Sequence, residues 1–166
     1  MRERRGDVVL RVNAMDGQYH IRSSPGVGDM WPASRDGLFV GEDNWVAVLC
    51  GTFWGPVDLS VREHDAPLGE VDRDWDMAAE WSLDCPEGTF AIHDIYSNDP
   101  PHVVEVAAGW TRLRLSVRGR TRAREVPEPV TVPVEQHLLE LWPAPAWHGP
   151  AVVHGPDGLA HHLRSQ

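Results

Sequence analysis

The sequence predicts an all-β fold: an antiparallel two-layer β-sandwich of about eight or nine strands, with little helix. Three observations carry this reading. Short runs alternate apolar and polar side chains with a period of two, the pattern of a half-buried strand. Fifteen Gly and 14 Pro residues interrupt the chain before long helices can form. Several runs are joined by only two or three residues, too few for the crossover that a parallel pair needs.

Taken in order, Val8, Leu10 and Val12 alternate with Arg11 and Asn13, and Tyr19 and Ile21 with His20 and Arg22. Asp16-Gly17 between them is a hairpin signal. Residues 23–37 read as a long loop. The run from Trp45 to Cys50 is continuously apolar, as in a strand buried on both faces. In 57–62, Val57, Leu59 and Val61 point in. The clearest strand is 75–85, with Trp75, Met77, Ala79, Trp81, Leu83 and Cys85 on an apolar face and Asp76, Glu80, Ser82 and Asp84 on the other. This places Trp81 in the core and Glu80 in solvent. Pro86-Glu87-Gly88 should pair that strand with 89–96, where Phe90, Ile92 and Tyr96 share a face. Ala107-Ala108-Gly109 should likewise pair 103–106 with the strand at 111–118. In the latter, Leu113, Leu115 and Val117 point in and Arg112, Arg114, Ser116 and Arg118 point out. Residues 119–134, rich in Arg and then Pro, read as an extended or mobile link. Gln136 to Trp142 fits a closing strand or one helical turn. The sandwich is thus assigned to 1–142, and 143–166 to a loosely ordered Pro/Gly/His-rich C-terminal tail, with Val152-Val153 able to dock.

Composition narrows the function. The apolar fraction of 42% suffices for a core. A formal net charge of −10 argues against non-specific nucleic-acid or anionic-membrane binding, and fits either solubility or a basic partner. Every basic residue apart from the histidines is Arg, a compositional bias rather than a recognition signal. The charged N-terminus lacks the apolar run of a signal peptide, and no stretch reaches the length of a membrane span. Cys50 and Cys85 sit in or at the end of apolar strands, as buried reduced thiols. The expectation is a cytoplasmic protein.

No motif specifies a reaction. Between Glu63 and Glu87 lie nine acidic residues and one basic, so this segment carries −8 of the −10. Asp72, Asp74, Asp76, Glu80 and Asp84 are the candidate binding residues: an acidic strand face for a basic protein partner, or else a solvated face that discourages edge pairing. Asp72, Asp74 and Asp76 open like a calcium loop, but Met77 and Leu83 occupy the positions that need Gly and Glu. Arg112, Arg114 and Arg118 are placed to pair across strands with the acidic face. Nine His residues show no zinc spacing, and His93 and Asp94, adjacent in a strand, face opposite ways. No Gly-x-Ser-x-Gly elbow or catalytic cysteine context is present. Trp31, Trp54, Trp142 and Trp147 lie near Pro or Gly in loops, where they either cap the core or contact a ligand. No catalytic residue, metal or cofactor is assigned. The first reading is a non-enzymatic binding protein, of the inhibitor or immunity type. The alternative is a small-molecule or carbohydrate-binding domain, or an enzyme, using the Trp-rich loops and histidines; a pocket lined by Trp31 or Trp54 with converging His and Asp would favour it.

Three short motifs carry a resemblance. Asp36-Gly37 precedes the apolar strand, Pro86-Glu87-Gly88 forms a turn, and Gly109-Trp110-Thr111-Arg112-Leu113 opens a late strand. In this layout the chain from Asp36 to Pro143 resembles the competence protein J family, small inhibitors of a DNA-entry nuclease. With Leu141-Trp142-Pro143 it is also similar to small actinobacterial β proteins. The resemblance implies a β fold, and more weakly an inhibitory role; it transfers no functional residue.

Overall fold

The computed structural model describes residues 6–24 and 34–164. The chain runs β1 (Val8–Ala14), β2 (Gln18–Arg22), β3 (Phe39–Gly41), β4 (Trp45–Leu49), β5 (Gly55–Glu63), β6 (Met77–Cys85), β7 (Thr89–His93), β8 (His102–Glu105), β9 (Gly109–Arg118), α1 (Arg120–Glu125), β10 (Gln136–Pro143), β11 (Ala151–His154) and α2 (Gly158–Arg164). Strands take 47% and helices 9% of the described residues, which makes the chain a β protein. A six-stranded sheet, in the order β1-β5-β10-β9-β6-β11, faces a five-stranded sheet, β3-β4-β2-β7-β8. No helix among the described residues is long and apolar enough to cross a membrane.

Alternation does the packing. Val57, Leu59, Met77, Ala79, Leu113 and Leu115 face inward from the large sheet, and Tyr19, Ile21, Val46, Val48, Phe90 and Ile92 from the small one. β4 is buried on both faces over Trp45 to Val48, as its continuous apolar run requires. Trp81 does point inward but reaches the rim, half-buried against the Phe39 ring, with its indole N–H donating to the Glu42 carbonyl.

The short links act differently from expectation. Asp16-Gly17 is a tight turn with positive φ at both residues (53° and 73°), and Met15 and Gln18 exchange backbone hydrogen bonds across it. Yet β1 pairs with β5 and β2 with β4 and β7, in opposite sheets. Likewise 86–88 joins β6 to β7, and 106–108 joins β8 to β9, across the layers. Two or three residues span the roughly 10 Å between packed sheets as readily as they close a hairpin. These turns are corners that fold both apolar faces inward. One pair is parallel, β5 with β10; the seventy-odd residues between those strands satisfy the length that a parallel return needs.

Two stretches are more ordered than their composition indicated. The 119–134 segment contains α1, a fully buried Arg120 and a buried Val130. Beyond Pro143, β11 pairs antiparallel with β6 as an edge of the large sheet, and Leu159 and Ala160 of α2 are buried. The three-residue β3 and the four-residue β11 raise the strand number among the described residues to eleven.

The outer face of β6 is closed. Glu80 points away from the core, but its side chain is only 13% exposed. Arg112 donates to one carboxylate oxygen at 3.2 Å and Arg114 to the other at 2.9 Å. Each guanidinium also holds a covering segment. Arg112 donates to the His148 and Gly149 carbonyls, and Arg114 to the Gly69 and Leu68 carbonyls. Ser82 adds a reciprocal pair of hydrogen bonds with the His148 backbone. The cross-strand pairing expected of Arg112 and Arg114 therefore exists, and it removes Glu80 from the surface. Arg118 instead bonds Gln136 and lies over the Trp75 ring.

A mutation tests this clamp. Glu80→Ala leaves two nearly buried guanidinium groups without their carboxylate and should cost about 3–5 kcal/mol. Replacing Glu80, Arg112 and Arg114 together by apolar residues of similar volume should cost much less. Urea unfolding of both variants measures the difference; equal losses would mean that the ion cluster is not what binds the covering segments.

Candidate functional site

One end of the sandwich gathers most of the unusual chemistry. In the large sheet, β6 begins, β9 ends and β10 begins there, since Met77 pairs with Val117 and Arg118 with Gln136. β1 ends and β5 begins at the same end, with Ala14 paired to Gly55. The small sheet brings the start of β2, the end of β4 and the end of β7, because Gln18 pairs with Leu49 and His20 with His93. This end is the pole of the sandwich.

A buried polar layer lies under the pole. Arg120, with no exposed surface, makes a bidentate pair with Asp157 at 2.8 and 2.7 Å. It also donates to the carbonyls of Gly37 and Leu49. Asp157 in turn accepts from the Ala160 backbone N–H at the start of α2. One guanidinium thus ties the Asp36 loop, the end of β4 and α2 together. Neighbouring backbones come so close that a side chain at Gly51 would overlap the Arg120 carbonyl, and one at Gly37 would overlap Ala160. Asp36 orders its own loop by accepting from the backbone N–H groups of Leu38 and Phe39.

Beside it runs a second buried chain. Tyr19 Oη lies 2.8 Å from His137 Nδ1, and His137 Nε2 lies 2.8 Å from Glu135 Oε2. Glu135 Oε1 accepts the Thr52 backbone N–H at 2.6 Å. His137 thus bridges the Tyr19 hydroxyl and the Glu135 carboxylate through its two ring nitrogens. Cys50 completes the one group, among the described residues, of three or more His, Cys, Asp or Glu side chains whose ligand atoms converge: Cys50, Glu135 and His137, within 4.8 Å. These are the residues that could hold a soft divalent cation. Their geometry is that of a hydrogen-bonded network, with both His nitrogens and both Glu oxygens already partnered. Burial, and then the Glu135 charge, push the Cys50 thiol well above its ordinary range, so it is an uncharged hydrophobe and not a nucleophile.

The network positions what lies above it. Thr52, held by Glu135, immediately precedes Phe53 and Trp54. Trp54 stacks on Tyr96 with centroids 6.3 Å apart, and Phe53 meets Trp54 edge-on at 6.1 Å. Tyr96 donates its hydroxyl to Asp16 at 2.7 Å. The sequence placed Tyr96 on the apolar face of a strand with Phe90 and Ile92. β7 stops at His93, however, and Tyr96 is 63% exposed. The adjacent aromatic pair Phe53-Trp54 before Gly55-Pro56 was the visible sign of an aromatic loop. Arg120, Glu135 and His137 gave no sign, because their partners are distant in sequence. Trp31 lies outside the described residues.

The five acidic candidates separate. Asp72, Asp74 and Asp76 are exposed beside the pole. Asp72 accepts from the Asp74 backbone N–H, and Asp76 from that of Gly119. Glu80 is the internal anchor of the clamp. Asp84 is at the far end of β6, where its backbone N–H donates to the Asp43 carbonyl. A cleft of about 250 Å³ separates the 68–72 segment from the outer sheet face, smaller than the roughly 300–1,000 Å³ of small-molecule sites. Its Arg62, Arg114 and Glu140 side chains are engaged in ion pairs. Trp54 does not line it, so the pocket that would have favoured a sugar or small ligand is not formed there.

The histidines of the small sheet face each other across β2 and β7, with ring centroids of His20 and His93 5.7 Å apart. Burial, then the charges of His93 and Arg22, lower His20 from 6.5 to about 4. The unfolded chain therefore takes up this proton first. Stability should fall as pH drops from about 6.5 to about 4, by at most about 3 kcal/mol for this group. His93, lowered chiefly by burial, acts in the same direction. Burial alone would raise Glu135 and Asp157, but hydrogen bonds from His137 and Thr52 to the first, and from Arg120 to the second, leave both lowered. Their contribution is present above their ordinary values near 4 and is lost as pH falls further. Urea midpoints across pH should show both phases. His20→Gln should reduce the first phase to the share of His93 and spare the second; an unchanged slope between pH 6.5 and 4 would contradict the assignment.

No protein-family model matches the chain, and no curated protein does. Two solved structures are similar to it. One is the crystal structure of ComJ, inhibitor of the DNA degrading activity of NucA, from Bacillus subtilis: TM-score 0.53, 8% identity, covering 82% of this chain and 96% of that one. The other is crocagin biosynthetic gene J: TM-score 0.52, 12% identity, covering 84% of this chain and 99% of that one. At such identities the likeness is one of fold, and it extends over nearly the whole length of both neighbours: this chain folds as a two-sheet sandwich similar to that of ComJ.

Proposed function

We propose that this chain is a non-enzymatic binding protein of the inhibitor or immunity type, which docks a basic protein partner through carboxylates. The observation that carries the reading is the exposed trio Asp72, Asp74 and Asp76, within a segment that holds most of the net charge of −10. Of the five residues first considered, these three supply the surface. Glu80 is spent inside the clamp, and Asp84 lies at the opposite end of its strand. Exposed negative charge of this kind speeds encounter with an oppositely charged protein. The fold shared with ComJ, itself an inhibitor of a DNA-degrading activity, supports a protein partner. The partner that this reading implies is a basic protein such as a nuclease or toxin.

Association with that partner tests the proposal. Asp72→Arg, Asp74→Arg and Asp76→Arg combined should slow association at least about tenfold at low salt, and the difference should shrink at high salt as charges are screened. The urea midpoint should change little, because the three side chains are exposed. An unchanged association rate with an intact fold would refute the acidic docking surface.

A further inference from the structure

We infer that the docking surface is the pole of the sandwich, not a strand face, and that Phe53, Trp54 and Tyr96 form an aromatic anchor there for an arginine presented by the basic partner. The inference rests on the reading just given and names where, and by what chemistry, the partner is held.

Four observations meet. First, the aromatic trio remains exposed, at 45%, 36% and 63%, although its rings pack on one another, and Val132 nearby in the chain segment flanking Trp54 is 71% exposed. Clustered exposed aromatics are typical of interface centres, where Trp, Tyr and Arg dominate binding. Second, the backbone that carries Phe53 and Trp54 is tied down. The Thr52 N–H is fixed by buried Glu135, the Trp54 carbonyl accepts from Val130, and the Phe53 carbonyl accepts from Gly17. Anchors fixed before binding lose little entropy on complex formation. Third, the charge matches. The Asp16 carboxylate bonds the Tyr96 hydroxyl at the trio's edge. Asp72, Asp74 and Asp76 flank the start of β6, three strand positions from β5. Asp76 stands level with Asp58, four residues along the chain from Trp54, so about 14 Å across the strands and about 13 Å along them separate Asp76 from Trp54, roughly 19 Å in all. Aromatic anchor and acidic rim therefore fit within one standard protein interface. Fourth, the strand face first considered is covered by the segments that Arg112 and Arg114 hold. An arginine suits this surface better than a lysine, because a planar guanidinium stacks on Trp and Tyr faces while pairing with a carboxylate. The same stacking recurs inside the chain, where Arg118 lies over Trp75 at 4.9 Å.

The probe is a short peptide alternating Arg and Gly, with a Lys and Gly peptide of equal charge as control, titrated calorimetrically into the full chain at low salt. The Arg peptide should bind several-fold more tightly than the Lys peptide. Trp54→Ala with Tyr96→Ala should abolish that preference and weaken the Arg peptide at least about tenfold. Both residues are on the surface, so the urea midpoint should hold. Asp72→Asn, Asp74→Asn and Asp76→Asn combined should weaken both peptides alike. If the aromatic variant binds the Arg peptide as the wild type does while the Asp variant loses both peptides, the anchor is overturned and the acidic docking surface stands. If neither peptide binds the wild type, both fall. If instead the wild type self-associates through Trp54 and Tyr96, the occupant is a second copy of the chain and the inference is wrong.

Discussion

Arg120 is the constraint on which the rest of the pole depends. A guanidinium without solvent contact is tolerable only if its charge and its donors are met. Here Asp157 supplies the charge, and the carbonyls of Gly37 and Leu49 take further donors. Those partners come from three separate parts of the chain, so satisfying one side chain fixes a loop, a strand end and a C-terminal helix against each other. The close backbone approaches at Gly51 and Gly37 follow from the same arrangement. Above it the Tyr19–His137–Glu135 chain extends the buried layer to Thr52, and through Thr52 to the exposed aromatic rings. A rigid polar floor carrying an apolar exposed surface is an economical way to present a binding site on loops.

The same logic, applied to the outer sheet face, removes a site. A strand that alternates apolar and acidic residues invites the reading of a free acidic face. Two arginines on the next strand convert it into an internal ion cluster and use their remaining donors to fasten the 68–69 and 148–149 segments over it. The negative charge that remains in solvent is displaced to the loop before β6. The exposed carboxylates and the exposed aromatic rings both lie toward the pole, while the outer face of β6 and β9 is used for packing.

What the sequence revealed follows from which interactions are local. The period-two pattern of β6, the two-sided burial of β4 and the inward leucines of β9 depend on neighbours two residues apart, and they were legible. The corner turns were not. Asp16-Gly17 has the backbone of a hairpin turn, but whether the strands then pair or part is decided by partners more than twenty residues away. Arg120 sat unnoticed in an Arg-rich stretch because Asp157 is 37 residues distant. One local sign was available: Pro156-Asp157 before Leu159 has the form of a helix start, with Asp157 as the capping residue. The exposure of Asp72, Asp74 and Asp76, carboxylates in a strongly acidic segment, could be expected in advance. The burial of Glu80 could not, because it depends on where the 68–69 and 148–149 segments cross the sheet face, and the exposure of Tyr96 could not, because it depends on β7 ending at His93.

Hydrogen exchange of the full chain, alone and with the Arg-Gly peptide, tests the central claim most directly, since it reports where a ligand sits without altering the protein. If the pole is the docking surface, the backbone amides of 52–54 and 94–97, together with those of 72–76, gain protection on binding. The strands β6 and β9 remain as they were. Protection confined to β6 and the segments that cover it, with the Phe53–Trp54 loop unchanged, would contradict the account.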